Sequence, residues 1–293
     1  MAAAVAAPML PGLIAKTKAA VAGRQGPPVL QLYYDLIKLL RKGAVYSRTT
    51  TVFFSAGPVV SMAAILAAAL FVPLAGTASV LSFDGDIILF AYLFGLARFF
   101  TVTAALDTGS SFEGMGAARE ATFALFAELA LFVNLVGLAK ATGTFSLSGL
   151  SGRAAESLGL ASPGALVLTC LSFFVVALAE NCRVPVDDPN THLELTMVHE
   201  VMVLDHSGPD LAFILYGAAL KLTLTLSILA HLLFPMDLGS PVKESAFFLS
   251  VLAALSIAVG LVESSMARLR LLRVPRLLMA ACVLAVFAVA LQW

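Results

Sequence analysis

Apolar residues in this chain come in long blocks separated by short polar stretches. Seven blocks, at roughly 52–75, 86–106, 119–141, 163–181, 209–235, 245–263 and 274–292, each approach the ~20 residues that carry a helix across the hydrocarbon core of a bilayer. An eighth, residues 1–15, is apolar but short, and reads as an incomplete first helix. The pattern predicts an all-α polytopic membrane protein with about eight transmembrane helices, forming one domain over residues 1–293.

Two stretches break this pattern. Gly26-Pro27-Pro28 interrupts the chain, and from Val29 the residues Leu32, Tyr33, Leu36, Ile37 and Leu40 recur at helical spacing. The segment 24–48 therefore contains an amphipathic helix lying on the membrane or on a partner. An ordinary surface helix has the same periodicity. The second stretch is the long polar loop 180–210, pinned between apolar blocks. It carries seven acids (Glu180, Asp187, Asp188, Glu194, Glu200, Asp205 and Asp210) and three of the four histidines (His192, His199 and His206).

Composition agrees with the block pattern. Hydrophobic residues make up 60% of the chain and charged residues 12%, against about 25% charged in soluble domains. The formal net charge of zero gives no reason to expect a nucleic-acid partner. Cys170, Cys182 and Cys282 are scattered without a CxxC pair, so neither a zinc site nor a thiolate-held iron–sulfur cluster is supported. Cys170 and Cys282 lie in apolar runs and read as small core residues. No basic segment precedes the first apolar stretch, so no cleavable signal peptide is expected.

Charge sets the expected orientation. Thirteen of the 18 Lys and Arg residues fall on the side that holds segment 16–48, Arg119, Arg183 and the cluster Arg268, Arg270, Arg273 and Arg276. Lys140, Arg153 and Lys243 fall on the other side. The positive-inside rule then places the basic side, and with it loop 180–210, in the cytoplasm. Arg98 and Lys221 lie within spans, and Asp107, Glu120, Glu128, Glu180, His231 and Glu263 lie in or at the edge of spans. A charge at the bilayer centre costs about 2.5–3.5 kcal/mol on insertion scales, so such groups face protein or water and mark ion or proton paths. Pairing for structure, with Arg98 or Lys221 neutralising a carboxylate, is the plainer alternative. Here carboxylates outnumber the buried cations, which favours raised carboxyl pKa values of the kind proton carriers need. Glu120 and Glu128 are eight residues apart, about 80° around a helix, and are expected to border one polar cavity. His192, His199 and His206 repeat every seven residues. On a helix that puts neighbouring imidazoles about 10 Å apart along the axis, too far to share one ion, and no metal site is assigned.

These residues carry a resemblance. Ala179-Glu180-Asn181-Cys182-Arg183-Val184-Pro185-Val186-Asp187 resembles the A-E-x-x-R-x-P-x-D signature of subunit 1 of respiratory complex I. The continuation through Asp188, Pro189, His192, Glu194, His199, Glu200 and Leu204-Asp205-His206-Ser207-Gly208 is similar to the hydrogenase branch: the membrane subunit of group 4 energy-converting [NiFe] hydrogenases of the Ech, carbon-monoxide-induced and formate hydrogenlyase types. The block from Arg24 to Lys42 resembles the segment after that family's first helix, and Ala97-Arg98 through Asp107, Arg119-Glu120 and Glu128 resemble its third and fourth helices. Asn190 and His192 stand where complex I has further acids, and Lys221 replaces a glutamate that complex I places near the position of Ala218. Both differences separate the chain from quinone-reducing subunits.

The resemblance implies a subunit of a prokaryotic cytoplasmic membrane that holds no cofactor, with the [NiFe] centre and Fe-S clusters in partner subunits. The implied partners are the hydrogenase large and small subunits, a ferredoxin-like Fe-S subunit, antiporter-like membrane subunits and the lipid bilayer. In this role Glu120, Glu128, Glu180, Glu194, Asp205 and Lys221 are ion-path candidates. Arg24, Asp35, Arg41, Arg183, Asp187, Asp188, His192, His199 and Glu200 are candidates for the interface with the hydrogenase module. The alternatives are a quinone-linked complex I-type subunit and a purely structural anchor.

Overall fold

A computed structural model of the chain describes residues 2–74, 79–150, 162–187, 197–234 and 239–292. Asp188, His192 and Glu194 lie outside the described residues. Ten α-helices occur among the described residues: α1 (Ala2–Ala6), α2 (Met9–Val21), α3 (Gln31–Leu40), α4 (Val52–Ala69), α5 (Asp86–Asp107), α6 (Ser111–Thr142), α7 (Pro163–Glu180), α8 (Gly208–Leu233), α9 (Pro241–Ser265) and α10 (Val274–Ala290). Seven stretches, α4 to α9 and the segment Leu271–Ala290, are long and apolar enough to cross a membrane, as the block pattern predicts. The eighth apolar stretch becomes α1 and α2. At 13 residues, α2 is about 20 Å long, shorter than a full span.

Helix ends depart from the blocks where charge is neutralised in three dimensions. The first helix runs on to Val21 rather than ending near residue 15, because Lys18 is held by Glu263 of α9 at 2.9 Å. Helix α6 begins at Ser111, eight residues before the expected boundary at 119. Its extra turns carry Glu113 and Arg119, and the loop bonds to each of them. The Asp205 N–H donates to Glu113 Oε1 at 3.3 Å, and Arg119 Nη1 donates to the Met197 carbonyl at 2.9 Å.

Capping residues explain several starts. Thr51 accepts from the Phe53 N–H at the start of α4, and Ser162 accepts from the Ala165 N–H ahead of Pro163 in α7. Asp107, the last residue of α5, reaches the same α4 terminus and accepts from the N–H groups of Thr51 at 2.6 Å and Phe54 at 3.2 Å. A carboxylate there meets both the orphan donors and the positive end of the helix dipole.

Helix α8 is the centre of the bundle. It packs against α3, α4, α7 and α9, and from Leu220 to Leu232 all but one of its side chains are buried, as expected for a helix apolar on every side. Successive spans alternate in direction, so the connections fall at two ends. At one end the Val45 N–H donates to Ser207 Oγ at 3.1 Å and the Leu269 N–H to the Pro185 carbonyl at 3.0 Å, joining the polar loop to its neighbours. Gly208 makes a close join at this end. Its φ of +56° is in the left-handed region, and a Cβ there would lie 2.6 Å from the Gly43 carbonyl oxygen. Gly116 of α6 plays a similar steric part, since a Cβ at that position would sit 2.3 Å from Val201 Cγ1. The loop end is thus seated directly on the helix.

Candidate functional site

Four spans place one charged side chain or more at a common point beneath the loop. Arg98 of α5 stands at the centre, with its side chain 8% exposed. Its Nε donates to Glu120 Oε1 at 3.0 Å, its Nη2 to Glu180 Oε2 at 2.5 Å, and its Nη1 to Glu128 Oε1. Lys221 of α8 adds a second cation, with Nζ 2.7 Å from the same Glu180 oxygen and 5.2 Å above the Phe94 ring. Three carboxylates thus share two cations, which leaves the cluster one negative charge in excess.

A cavity of about 290 Å³ adjoins this cluster. Arg98, Glu120, Glu180, Lys221, Asp187 and His199 line its polar end, while Leu32, Met62, Ile65 and Phe213 line the apolar remainder. Glu120 and Glu128 were expected to border one cavity. Only Glu120 is on its wall. Glu128 faces the flank of the bundle, 40% exposed, and joins the cluster through Arg98.

The loop over the cavity is tied down by its own charges. Asp187 is 3% exposed. It pairs with Arg268 at 2.7 Å and accepts from the His199 N–H at 3.1 Å. Arg183 turns inward, with Nη1 3.5 Å from Glu263 Oε1. The side chains of Arg183 and Asp187, named as interface candidates, are therefore engaged within the chain. His199 and Glu200 line the cavity. Burial pushes the His199 imidazole below its usual pKa, and Glu120 acts in the opposite sense. Arg24 and Arg41 are exposed and Asp35 is half-buried in α3, where it accepts from Gln31 Nε2 at 3.0 Å.

Asp205, an ion-path candidate, is exposed on the loop and only its backbone enters the hydrogen-bonding, through Glu113. Glu113 is 2% exposed and is absent from the charges that the sequence singles out in or near spans, whereas Glu263 is among them as a span-edge acid without an assigned role. A carboxylate three residues into a helix reads as ordinary first-turn capping, so its burial had no signal in the sequence. His206 is buried and stacks on Phe54, with ring centroids 4.0 Å apart. Burial lowers its pKa, opposed by Asp210 and Asp205. Among the described residues no group of three or more His, Cys, Asp or Glu side chains is arranged to hold a metal ion.

Comparison with known proteins agrees with this architecture. The family model for NADH dehydrogenase matches residues 1–292. The chain is 31% identical over 278 residues to formate hydrogenlyase subunit 4 of Escherichia coli strain K12, covering 92% of this chain and 89% of that protein. It is 29% identical over 271 residues to hydrogenase-4 component C of the same strain, covering 90% of this chain and 84% of that protein. Its fold is similar to that of a chain in the membrane-bound sulfane sulfur reductase, an archaeal respiratory membrane complex, with a TM-score of 0.83, 20% identity and coverage of 99% and 96% of the two chains. With the match running over nearly the whole sequence and the spans in place, the chain belongs to the NADH dehydrogenase family and is an all-α integral membrane protein.

Proposed function

We propose that this chain is the membrane-anchoring and energy-coupling subunit of a multisubunit [NiFe] hydrogenase complex. The observation that carries this reading is the shared-cation cluster, with Glu120, Glu128 and Glu180 held by Arg98 and Lys221 between the loop cavity and the flank of the bundle. With more acids than cations, a change in charge at the cavity end redistributes the remaining proton or ion pair among the three carboxylates. In a low-dielectric setting such redistribution is felt across the cluster.

In this reading the polar loop faces the cytoplasm and receives the hydrogenase large and small subunits and a ferredoxin-like Fe-S subunit. The [NiFe] centre and Fe-S clusters belong to those partners. Arg24, Arg41 and Asp35 border the docking side, with Asp188, His192, His199 and Glu200 on the loop. Arg183 and Asp187 shape that loop from within through Glu263 and Arg268. Asp205 is the entry candidate on the loop, and Glu194 is a further ion-path candidate by sequence; Glu120, Glu180, Lys221 and Glu128 carry the path inward toward antiporter-like membrane subunits.

The test is Glu128→Gln in the assembled complex. Hydrogen turnover persists and ions moved per hydrogen fall; unchanged coupling removes Glu128 from the path. The cavity favours a second reading, a quinone-linked subunit, because a polar end beneath an apolar chamber suits an amphiphilic electron carrier. Mass spectrometry of the native complex separates the two, since a partner large subunit with nickel-binding cysteines excludes the quinone-linked assembly.

A further inference from the structure

The linker between α9 and α10 turns its side chains to two opposite sides. Arg268 pairs with Asp187 at 2.7 Å, and the Leu269 N–H donates to the Pro185 carbonyl at 3.0 Å, so the linker clasps the polar loop. Leu269 and Leu271 pack inward on the apolar cluster that includes Val186 and Val198 of the loop. Arg270, Leu272, Arg273 and Arg276 are exposed. Leu272, at 87%, is the most exposed large apolar side chain among the described residues.

The depth of this patch follows from length. Helix α10 has 17 residues and is about 26 Å long, short of the ~30 Å hydrocarbon core. The apolar stretch that crosses starts earlier, at Leu271. The single turn Leu271–Arg273 therefore completes the span and lies where acyl chains give way to headgroups. Arg276 heads an outward stripe in which Met279, Val283 and Phe287 recur at helical spacing, all exposed.

Among the described residues no acid pairs with Arg270, Arg273 or Arg276. Their charges also oppose the dipole of α10, whose positive end lies beside them. A countercharge is needed, and Leu272 says from which side it comes. An acidic soluble protein meets the arginines from above and leaves Leu272 and the stripe beneath it uncovered. A lipid covers both, because guanidinium forks match phosphate oxygens two at a time while acyl chains take the apolar surface. A zwitterionic headgroup brings its own ammonium into this field; an anionic phosphodiester does not.

We propose that Arg270, Arg273 and Arg276 bind the headgroup of an anionic phospholipid in the leaflet on the loop side, with its acyl chains along Leu272, Met279 and Val283. The lipid braces the linker that holds Asp187 and Pro185, and so couples order in the polar loop to the surrounding membrane. The site stands apart from the hydrogenase reading, since it uses neither the charge cluster nor a partner subunit.

Photolabelling of the complex in phosphatidylcholine nanodiscs tests it, with a trace of phosphatidylglycerol that carries a diazirine on one acyl chain. Adducts should concentrate on residues 271–283. Unlabelled phosphatidylglycerol should suppress them at least about tenfold better than phosphatidylcholine of the same chains. Equal suppression, or label spread evenly over the spans, overturns the proposal. Inorganic phosphate should not compete, having nothing to offer Leu272; displacement by it makes this a free-anion site and also overturns the proposal. Joint Arg270→Gln, Arg273→Gln and Arg276→Gln should abolish the preference, and full retention overturns it. Because these charges also help orient the chain, the three Arg→Lys replacements are made alongside. They keep the charge, lack the fork and should lower the preference part-way; an unchanged preference overturns the fork contacts. Benzoylphenylalanine at Leu272 in native membranes should give lipid adducts, and capture of a polypeptide overturns the lipid assignment. Replacing phosphatidylglycerol by phosphatidylcholine should speed proteolysis between residues 197 and 207 about threefold; unchanged cleavage overturns the brace.

Discussion

Two buried acids, one at each end of the bundle, are satisfied in opposite ways. At the end away from the loop, Asp86 is 0% exposed and is met entirely by neutral donors. Ser146 Oγ donates to it at 2.6 Å, the Leu147 N–H at 2.7 Å and the Phe83 N–H at 3.4 Å. The donors all come from neighbouring connections, and they fix one geometry. At the loop end, Glu180 is equally withdrawn from solvent but depends on two cations, and two other acids also claim one of them, Arg98. Fixed dipoles around Asp86 make a clasp that joins α5 to the connection after α6. A shared cation makes an arrangement that a proton or an approaching charge can rebalance. Burial of an acid is thus no sign of function by itself; the chemistry of its partners is.

The largest effect expected from this contrast is that of Arg98→Met. It strands Glu120 and Glu128 and leaves Glu180 with Lys221 alone, and breaking a buried ion pair from one side costs about 3–5 kcal/mol. The variant should accumulate poorly and unfold at a lower temperature in detergent, with Arg98→Lys intermediate. Asp86→Ala should come next. It leaves the Leu147 N–H without its acceptor, a loss of about 1–3 kcal/mol, and lowers the thermal midpoint while ions moved per hydrogen stay constant. A fall in that ratio breaks the contrast, because it makes the clasp part of the path.

Gly116→Val probes the seat of the loop. Its side chain collides with Val201 and with the Val198 carbonyl, 2.9 Å from the nearest Cβ position. Overpacking of about 1–3 kcal/mol should fall on the loop and leave the spans intact, and faster proteolytic cleavage between residues 197 and 207 checks it. The smallest effect concerns pH. Burial lowers the His206 pKa, so the unfolded chain binds the proton more readily than the folded one. Stability is then full above the unfolded value of about 6.5 and declines as pH falls from there toward the folded value. The slope is at most about 1.4 kcal/mol per pH unit for one such group. His206→Phe keeps the stack on Phe54 and should flatten the acid side of the midpoint-against-pH curve.

Much of the helix pattern was legible in the sequence because hydropathy is local. The run from Pro163 onward is not needed to recognise 86–106 as a span, nor the reverse. The boundaries that failed, at Val21 and Ser111, failed for one reason. Lys18, Glu113 and Arg119 look like the edge of water, yet each meets a partner from a distant segment. The candidate site was legible as a set of expensive charges but not as a constellation. Arg98 is 22, 30 and 82 residues from the three carboxylates that it gathers, and no spacing rule operates over such distances. Helical phase put Glu120 and Glu128 in different directions around α6, and that was correct. It did not reveal that one looks into the cavity and the other out of the bundle.

The sequence by itself determined that the chain is all-helical, that it lies in a membrane, and which residues carry costly charge there, since each of these follows from the transfer energy of single residues and short segments. Only the tertiary structure decided which acid meets which cation. It also decided that Arg183 and Asp187 turn inward, and that Glu128 opens onto the flank of the bundle. Those outcomes depend on how helices pack around α8, and packing is a property of pairs that no single segment contains.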